Sequence, residues 1–324
     1  MVSAYPERGR TAWISAQRPD RKPADAGVAA GWFQEKERNA AGQVVDSAVI
    51  LLTNKECPWR CLMCDLWQHT LTESVPAGAI PRQIHHALAQ LAGQPEQIKL
   101  YNSGSFFDPA AIPPDDYPAI AAAVNSARHV VVESHPRLVG ERTLVWQSLL
   151  TGSLEVALGL ETIHPEILPR LNKKFTLAHF AEATKFLRTN NIALRVFILV
   201  RTPFMTEAEG LDWAVRSAAY AFAQGAAVVS LIPTRPGNGA LDRLLAIGEF
   251  APPRLATLER ALERVLALPP HSRDSSQRVF ADTWNLELFS HCPACFAARC
   301  ARLHHMNLTQ QIPPAVHCAA CHEP

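Results

Sequence analysis

The sequence predicts an α/β fold, a partial (β/α)6 TIM-like barrel followed by a small C-terminal Cys-rich metal-binding appendage. Three observations carry this expectation. Six apolar, β-branched runs alternate with helix-like segments from residue 47 onward. Three cysteines, Cys57, Cys61 and Cys64, follow the first run directly, and five more lie within 30 residues near the C-terminus. At 324 residues, 48% hydrophobic and 19% charged, the chain is long enough to bury an α/β core and still carry an appendage.

Taken in order, residues 1–45 are rich in Arg, Pro and Ala and read as a loosely structured lead-in. The barrel is assigned to 46–270, with strands at SAVILLT (47–53), QIKLY (97–101), HVVVE (129–133), LEVALGL (154–160), IALRVFILV (192–200) and AAVVSLI (226–232). Helical periodicity is read at 81–92, 115–128, 141–150, 176–189, 206–224 and 253–268, with Thr176 and Thr206 as N-caps. Near-continuous apolar strands separated by helices argue for a parallel sheet covered by helices. In such barrels the chemistry sits at the C-terminal ends of the strands. Residues 271–324 form the extension, opening on a further strand over 281–289 that places Asp282, Asn285 and Glu287 toward the barrel mouth.

The C-x3-C-x2-C triplet is the strongest chemical signal. Three thiolates hold three irons of a 4Fe-4S cube and leave the fourth iron open to a small molecule. A zinc knuckle is the competing reading, but no fourth ligand is close by and Cys57 and Cys61 are spaced too widely for a knuckle's first pair. The polar residues following the later strands are then the candidates for the rest of the site. Asn102, Ser103, Gly104 and Ser105 form a small turn whose backbone N–H groups suit a carboxylate or an amine. Glu133 and Glu161 end two successive buried strands, where a carboxylate needs a ligand or a cation, with Arg137, Arg170 or Arg201 as the ordinary partners. Arg201 itself suits a carboxylate or a phosphate.

The triplet is the signature of the radical S-adenosylmethionine (SAM) superfamily, which the chain resembles. KLYNSGSFFD, VVESHPRLV, EVALGLETIHPEILPRLNKKFT and RVFILVRTPFMTEAEGLDWA are similar to the branch that contains the radical-SAM subunit of archaeosine synthase and, more widely, the catalytic subunit of Elongator. The likeness runs over roughly residues 40–300. It implies that the open iron chelates SAM and that one electron, from a flavodoxin- or ferredoxin-like donor, releases a 5′-deoxyadenosyl radical. It also implies that Met63 takes the usually aromatic position against adenine, that Asn102–Ser105 meet the SAM amino group in place of a Gly-Gly-Glu sequence, and that Glu133, Glu161 and Arg201 bind cofactor. The substrate implied is a modified tRNA nucleoside. Arg201 stands where the branch has a lysine before the proline. The alternatives carried beside this are radical modification of a peptide or small metabolite with a second auxiliary cluster, and a non-catalytic nucleic-acid-binding or scaffold protein with a zinc ribbon.

In the tail, Cys292, Cys295, Cys318 and Cys321 form two C-x2-C pairs separated by 22 residues, the pattern of a zinc ribbon. Cys300 keeps an auxiliary 4Fe-4S cluster open as the competing ligand set, and His291, His304, His305, His317 and His322 ring the group. Eight cysteines grouped three and five point to metal ligation in a reducing compartment, not to disulfides. No apolar run of membrane-spanning length or signal-peptide core is found, so a cytoplasmic protein without membrane contact is expected. The net charge of +1 excludes recognition of nucleic acid by whole-chain charge while leaving a local basic face open.

Overall fold

The structure is a computed structural model that describes residues 4–269 and 276–321. Eight strands form one sheet in chain order: β1 (Gly31–Arg38), β2 (Val44–Leu51), β3 (Gln97–Tyr101), β4 (His129–Ser134), β5 (Ser153–Glu161), β6 (Ala193–Val200), β7 (Val228–Pro233) and β8 (Arg278–Ala281). β1 and β2 are antiparallel, and each step from β2 to β8 is parallel. The helices are α1 (Arg10–Gln17), α2 (Ala79–Gln90), α3 (Tyr117–Val124), α4 (Glu141–Leu149), α5 (Ile167–Arg170), α6 (Leu177–Thr189), α7 (Glu207–Ala223), α8 (Ala240–Ala246), α9 (Leu255–Leu266) and α10 (Pro293–Thr309). Thr176 and Thr206 cap α6 and α7 as expected, each accepting an N–H from the third residue of its helix. Among the described residues no helix is long and apolar enough to cross a membrane.

The six expected strands are β2 to β7, and the sheet has two more. The lead-in is not loosely structured: it contributes α1 and β1. β1 escapes an apolar search because its inward positions hold carboxylates. Glu37 crosses the lumen to Lys99 of β3 (2.5 Å) and Arg195 of β6 (2.7 Å). Burial alone would raise the Glu37 pKa, but Arg195 and Lys99 hold it well below the usual carboxylate range. Glu155 of β5 bonds Arg195 Nε at 2.5 Å, and this buried network floors the barrel.

The strand expected over 281–289 is also corrected. β8 ends at Ala281, Asn285 turns the chain in a left-handed conformation (φ 51°), and Leu286–Phe289 is a 3-10 turn. Leu286 and Phe289 are buried at a spacing of three, which a helical turn satisfies and an alternating strand does not. α10 lies against β8, where Asn307 and Gln310 hydrogen-bond the backbone of Ala281 and Val279.

Strand alternation carries the lumen upward from its ionic floor. Two residues beyond Lys99 and Arg195 stand Tyr101 and Phe197, edge to face at 6.1 Å. Two residues before Glu35 stands Phe33, which meets Trp284 at 5.4 Å. These rings are partly exposed, so the upper lumen is walled by aromatic faces.

Candidate active site

The triplet sits in the loop after β2, and neighbouring loops fix its backbone. Asn172 donates to the Arg60 carbonyl at 2.6 Å, Leu62 N–H donates to Leu171, and Asn238 donates to the carbonyls of Leu62 (2.8 Å) and Cys64 (3.2 Å). Leu62 is fully buried in a second apolar group with Tyr5, Ile14, Leu241, Leu244 and Phe250, so α1 and α8 clamp the loop from outside the barrel. Glu56, next to Cys57, is bonded by Arg18 (2.6 Å), Arg21 (2.5 Å) and Arg60 (3.1 Å). Trp59, between the first two cysteines, stacks on His135 at 3.7 Å and 13°.

Around the triplet stand the predicted residues, several with duties other than those expected. The backbone N–H groups of Asn102, Ser103 and Gly104 face Glu133, whose Oε1 accepts from Asn102 N–H at 2.6 Å. Burial pushes the Glu133 carboxyl up to about 7 despite these bonds. The turn's N–H groups thus face Glu133. Its closeness to the triplet comes from Gly104, where an added Cβ would stand 3.3 Å from Cys57 Cβ. Ser105 turns to Ser134 (2.9 Å, Oγ to Oγ). Asn102 is fully buried, yet neither Oδ1 nor Nδ2 has a partner among the described residues. Such atoms are costly unless a ligand meets them.

Glu161 pairs with Lys173 (2.6 Å) and not with an arginine, while Lys173 also donates to the Gly159 carbonyl (2.7 Å). Burial would lower the Lys173 pKa, but Glu161 and the nearby Cys61 and Cys57 outweigh it and hold the ammonium charged. Lys173 is thus the cation nearest in effect to the triplet, and the sequence reading missed it. The signal was the run of two lysines after Asn172, beginning twelve residues beyond the end of β5 and too far to be read as part of that strand end. Arg201 bonds Glu207 of α7 and the Pro252 carbonyl (2.9 Å), both through Nη1. Met63 packs against the α1–α8 apolar group. Ser103 (φ 54°), Glu161 (φ 68°) and Arg201 (φ 57°) are all left-handed, each at the C-terminal end of a strand. Strain of this kind collects at functional sites.

Burial raises the pKa of all three triplet thiols, that of Cys57 to about 12. Thiolates here need a cationic metal to hold them, so the donor set and its burial suit an iron–sulfur cluster.

The C-terminal group assembles separately. Cys292, Cys295, Cys318 and Cys321 bring their sulfurs within 4.8 Å of one another, with Cys292–Cys318 at 3.8 Å and Cys295–Cys321 at 3.9 Å. Cys300 is not in this group; it lies on α10 packed against the main core. The histidines that ring the tail in sequence supply no ligand atom among the described residues, and His322 lies outside them. Arg299, buried on α10, ties the site to the barrel: it interacts with Cys295 and bonds Glu259 of α9. Arg302 extends the tie to Glu259 (3.0 Å) and Glu263 (2.9 Å).

No family model matches the chain. An uncharacterised protein of Methanocaldococcus jannaschii is 24% identical over 234 residues, covering 68% of this chain and 64% of that protein, a little under two thirds of its length. Archaeosine synthase subunit beta of Methanosarcina acetivorans is 25% identical over 281 residues, covering 83% of this chain and 80% of the relative. Among solved structures, archaeal Elp3 of Methanocaldococcus infernus superposes with a TM-score of 0.50 at 14% identity, over 70% of this chain and 59% of the other. The chain shares its fold with this Elp3.

Proposed function

We propose that this chain is a radical SAM enzyme acting on a modified tRNA nucleoside, as the name of its archaeosine synthase relative implies. The observation that carries the enzymatic reading is the Cys57–Cys61–Cys64 loop, clamped at the C-terminal end of β2 with Gly104 against Cys57 and the Lys173 ammonium beside Cys57 and Cys61. Cys57, Cys61 and Cys64 would hold the 4Fe-4S cluster. Lys173 and the partnerless amide of Asn102 are the groups suited to the carboxylate and amino ends of SAM. Cluster and SAM together supply a 5′-deoxyadenosyl radical on one-electron reduction, here by a flavodoxin- or ferredoxin-like donor. The chain's own residues orient SAM and shield the lumen from water.

The aromatic upper lumen supports the nucleoside substrate. Tyr101, Phe197, Phe33 and Trp284 offer partly exposed ring faces, and a splayed base is held by stacking on such faces. The relative's name is that of one subunit, so a partner subunit belongs to the proposal, as does a cytoplasmic place of work.

For the tail we assign zinc. Four thiolates at about 2.3 Å from a tetrahedral zinc stand about 3.8 Å apart, and the two sulfur pairs are at 3.8 and 3.9 Å. A cube with one thiolate on each iron would spread them wider. The tail is then a structural tether and not a second redox centre. Iron and zinc counts on the wild type and on Cys292→Ala/Cys295→Ala test this: zinc near one per chain, lost in the variant while iron stays near four, is expected. No zinc with iron above four would favour an auxiliary cluster. The substrate is tested by the modified-nucleoside profile of tRNA from cells with and without the chain. One nucleoside changing supports the reading, and an unchanged profile moves it to a peptide or small metabolite.

A further inference from the structure

The net charge of +1 hides a local basic cradle. Beside the triplet loop, on the outer side of the segment that carries Lys173, is a concavity of about 500 Å³ lined among others by Arg8, Arg10, Lys174, Thr176 and His179. Glu7 is the one carboxylate in its lining. The cations come from segments more than 160 residues apart in the sequence and are brought together by specific bonds. Tyr5 Oη–H donates to the Arg170 carbonyl (2.8 Å), Arg10 Nη1 to Pro169 (2.8 Å), and Asn172 to Thr11 Oγ1 (3.2 Å). Arg8 and Lys174 are exposed, and neither pairs with a carboxylate among the described residues. Arg137, also exposed, adds a further cation where it bonds the Lys174 carbonyl (3.5 Å).

Two features make this more than scattered surface charge. Lys173 and Lys174 are consecutive and serve opposite sides: Lys173 is buried against Glu161, whereas Lys174, left-handed at φ 62°, stands exposed in the cradle. The N-terminal end of α6, thirteen residues long and capped by Thr176, also opens on the concavity and adds its positive dipole end. Asn172 lines the cradle and also holds the Arg60 carbonyl of the triplet loop, so the cradle borders the site.

We propose that Arg8, Arg10, Lys174 and the start of α6 bind the phosphate backbone of the RNA substrate and so set which nucleoside reaches the lumen. This rests on the tRNA reading above. The cradle suits a backbone phosphate because it is open and lined by Arg8, Arg10 and Lys174 against a single carboxylate.

The test is equilibrium binding of the full chain to unmodified tRNA across a salt series, for the wild type, Arg8→Glu, Lys174→Glu, the double variant, and Arg216→Glu on the exposed side of α7 as control. Each cradle variant is expected to weaken binding about tenfold and to lower the slope of log affinity against log salt by about one. The control keeps both, and thermal midpoints stay the same. Wild-type binding with no change in the cradle variants would overturn the cradle alone. No wild-type binding at any salt would overturn the tRNA reading and the cradle with it. Competition by millimolar inorganic phosphate at constant ionic strength would give the cradle to a free phosphoryl ligand and overturn its assignment to RNA.

Discussion

Gly159 shows how closely the site is built at the scale of single residues. An added Cβ there would stand 2.4 Å from both Glu161 Oε1 and Lys173 Nζ, so the pair exists because that side chain is missing. Gly159→Ala is expected to cost about 1–3 kcal/mol by overpacking and to weaken SAM binding, read by thermal melting and by calorimetry on the reconstituted protein. Unchanged SAM affinity would show that Lys173 does not face the cofactor. His135 and Glu133, near neighbours on β4 and its end, titrate with opposite effect on stability. Burial lowers the His135 pKa to about 3, with its Nε2–H held by the Lys173 carbonyl, so its contribution is lost as pH falls below its unfolded value near 6.5. The Glu133 pKa is raised to about 7, so its contribution is present below about 4.5 and is lost as pH rises through 7. Between pH 4.5 and 6.5 the two oppose each other. Glu133→Gln should therefore leave a protein whose melting temperature rises with pH in that window, and His135→Gln one whose melting temperature falls. Parallel curves for both variants would contradict the assignment. The three cysteines were legible because their spacing is itself chemistry. Lys173 was not, because what makes it important is a fold back onto Glu161 twelve residues earlier.

Among the elements, the least legible segment has the most to do with the site. Residues 4–30 looked like a lead-in because Arg, Pro and Ala carry no strand or helix periodicity, yet Ile14 and Tyr5 bury against Leu62, and Arg18 and Arg21 hold Glu56. Arg18 also lies over the Trp67 ring at 4.5 Å, and Arg21 donates to the Trp67 carbonyl. The clamp predicts a kinetic role. Arg18→Ala/Arg21→Ala should leave the barrel folded and shorten the half-time of iron release to a chelator several-fold, since Glu56 then keeps only Arg60. An unchanged half-time would mean that the segment following α1 covers the loop without holding it. β1 was missed for a related reason: strand detection rests on apolar alternation, and its inward side is Phe33, Glu35 and Glu37, stabilised by ion pairs and not by transfer from water. The six central strands and the caps Thr176 and Thr206 were plain because burial on both faces writes itself as unbroken β-branched runs.

At the scale of the molecule, the order of the elements explains why chemistry collects at one end. Seven parallel strands bring their C-terminal ends to one rim, an ionic floor closes the opposite end, and the rings above it leave a walled space under the triplet. The four-cysteine tether fixes α10 to α9 through Arg299 and Glu259, separate from that space. Composition showed an α/β core of this size but not the basic cradle, because a near-neutral sum conceals how charge is distributed. The central claim is that Cys57, Cys61 and Cys64 hold a cluster that cleaves SAM. Its most direct measurement is the yield of 5′-deoxyadenosine after anaerobic reconstitution with iron and sulfide, in the presence of dithionite and SAM, with Cys61→Ala alongside. The account predicts steady 5′-deoxyadenosine from the wild type and none above background from the variant; a fully reconstituted wild type that makes none would contradict it.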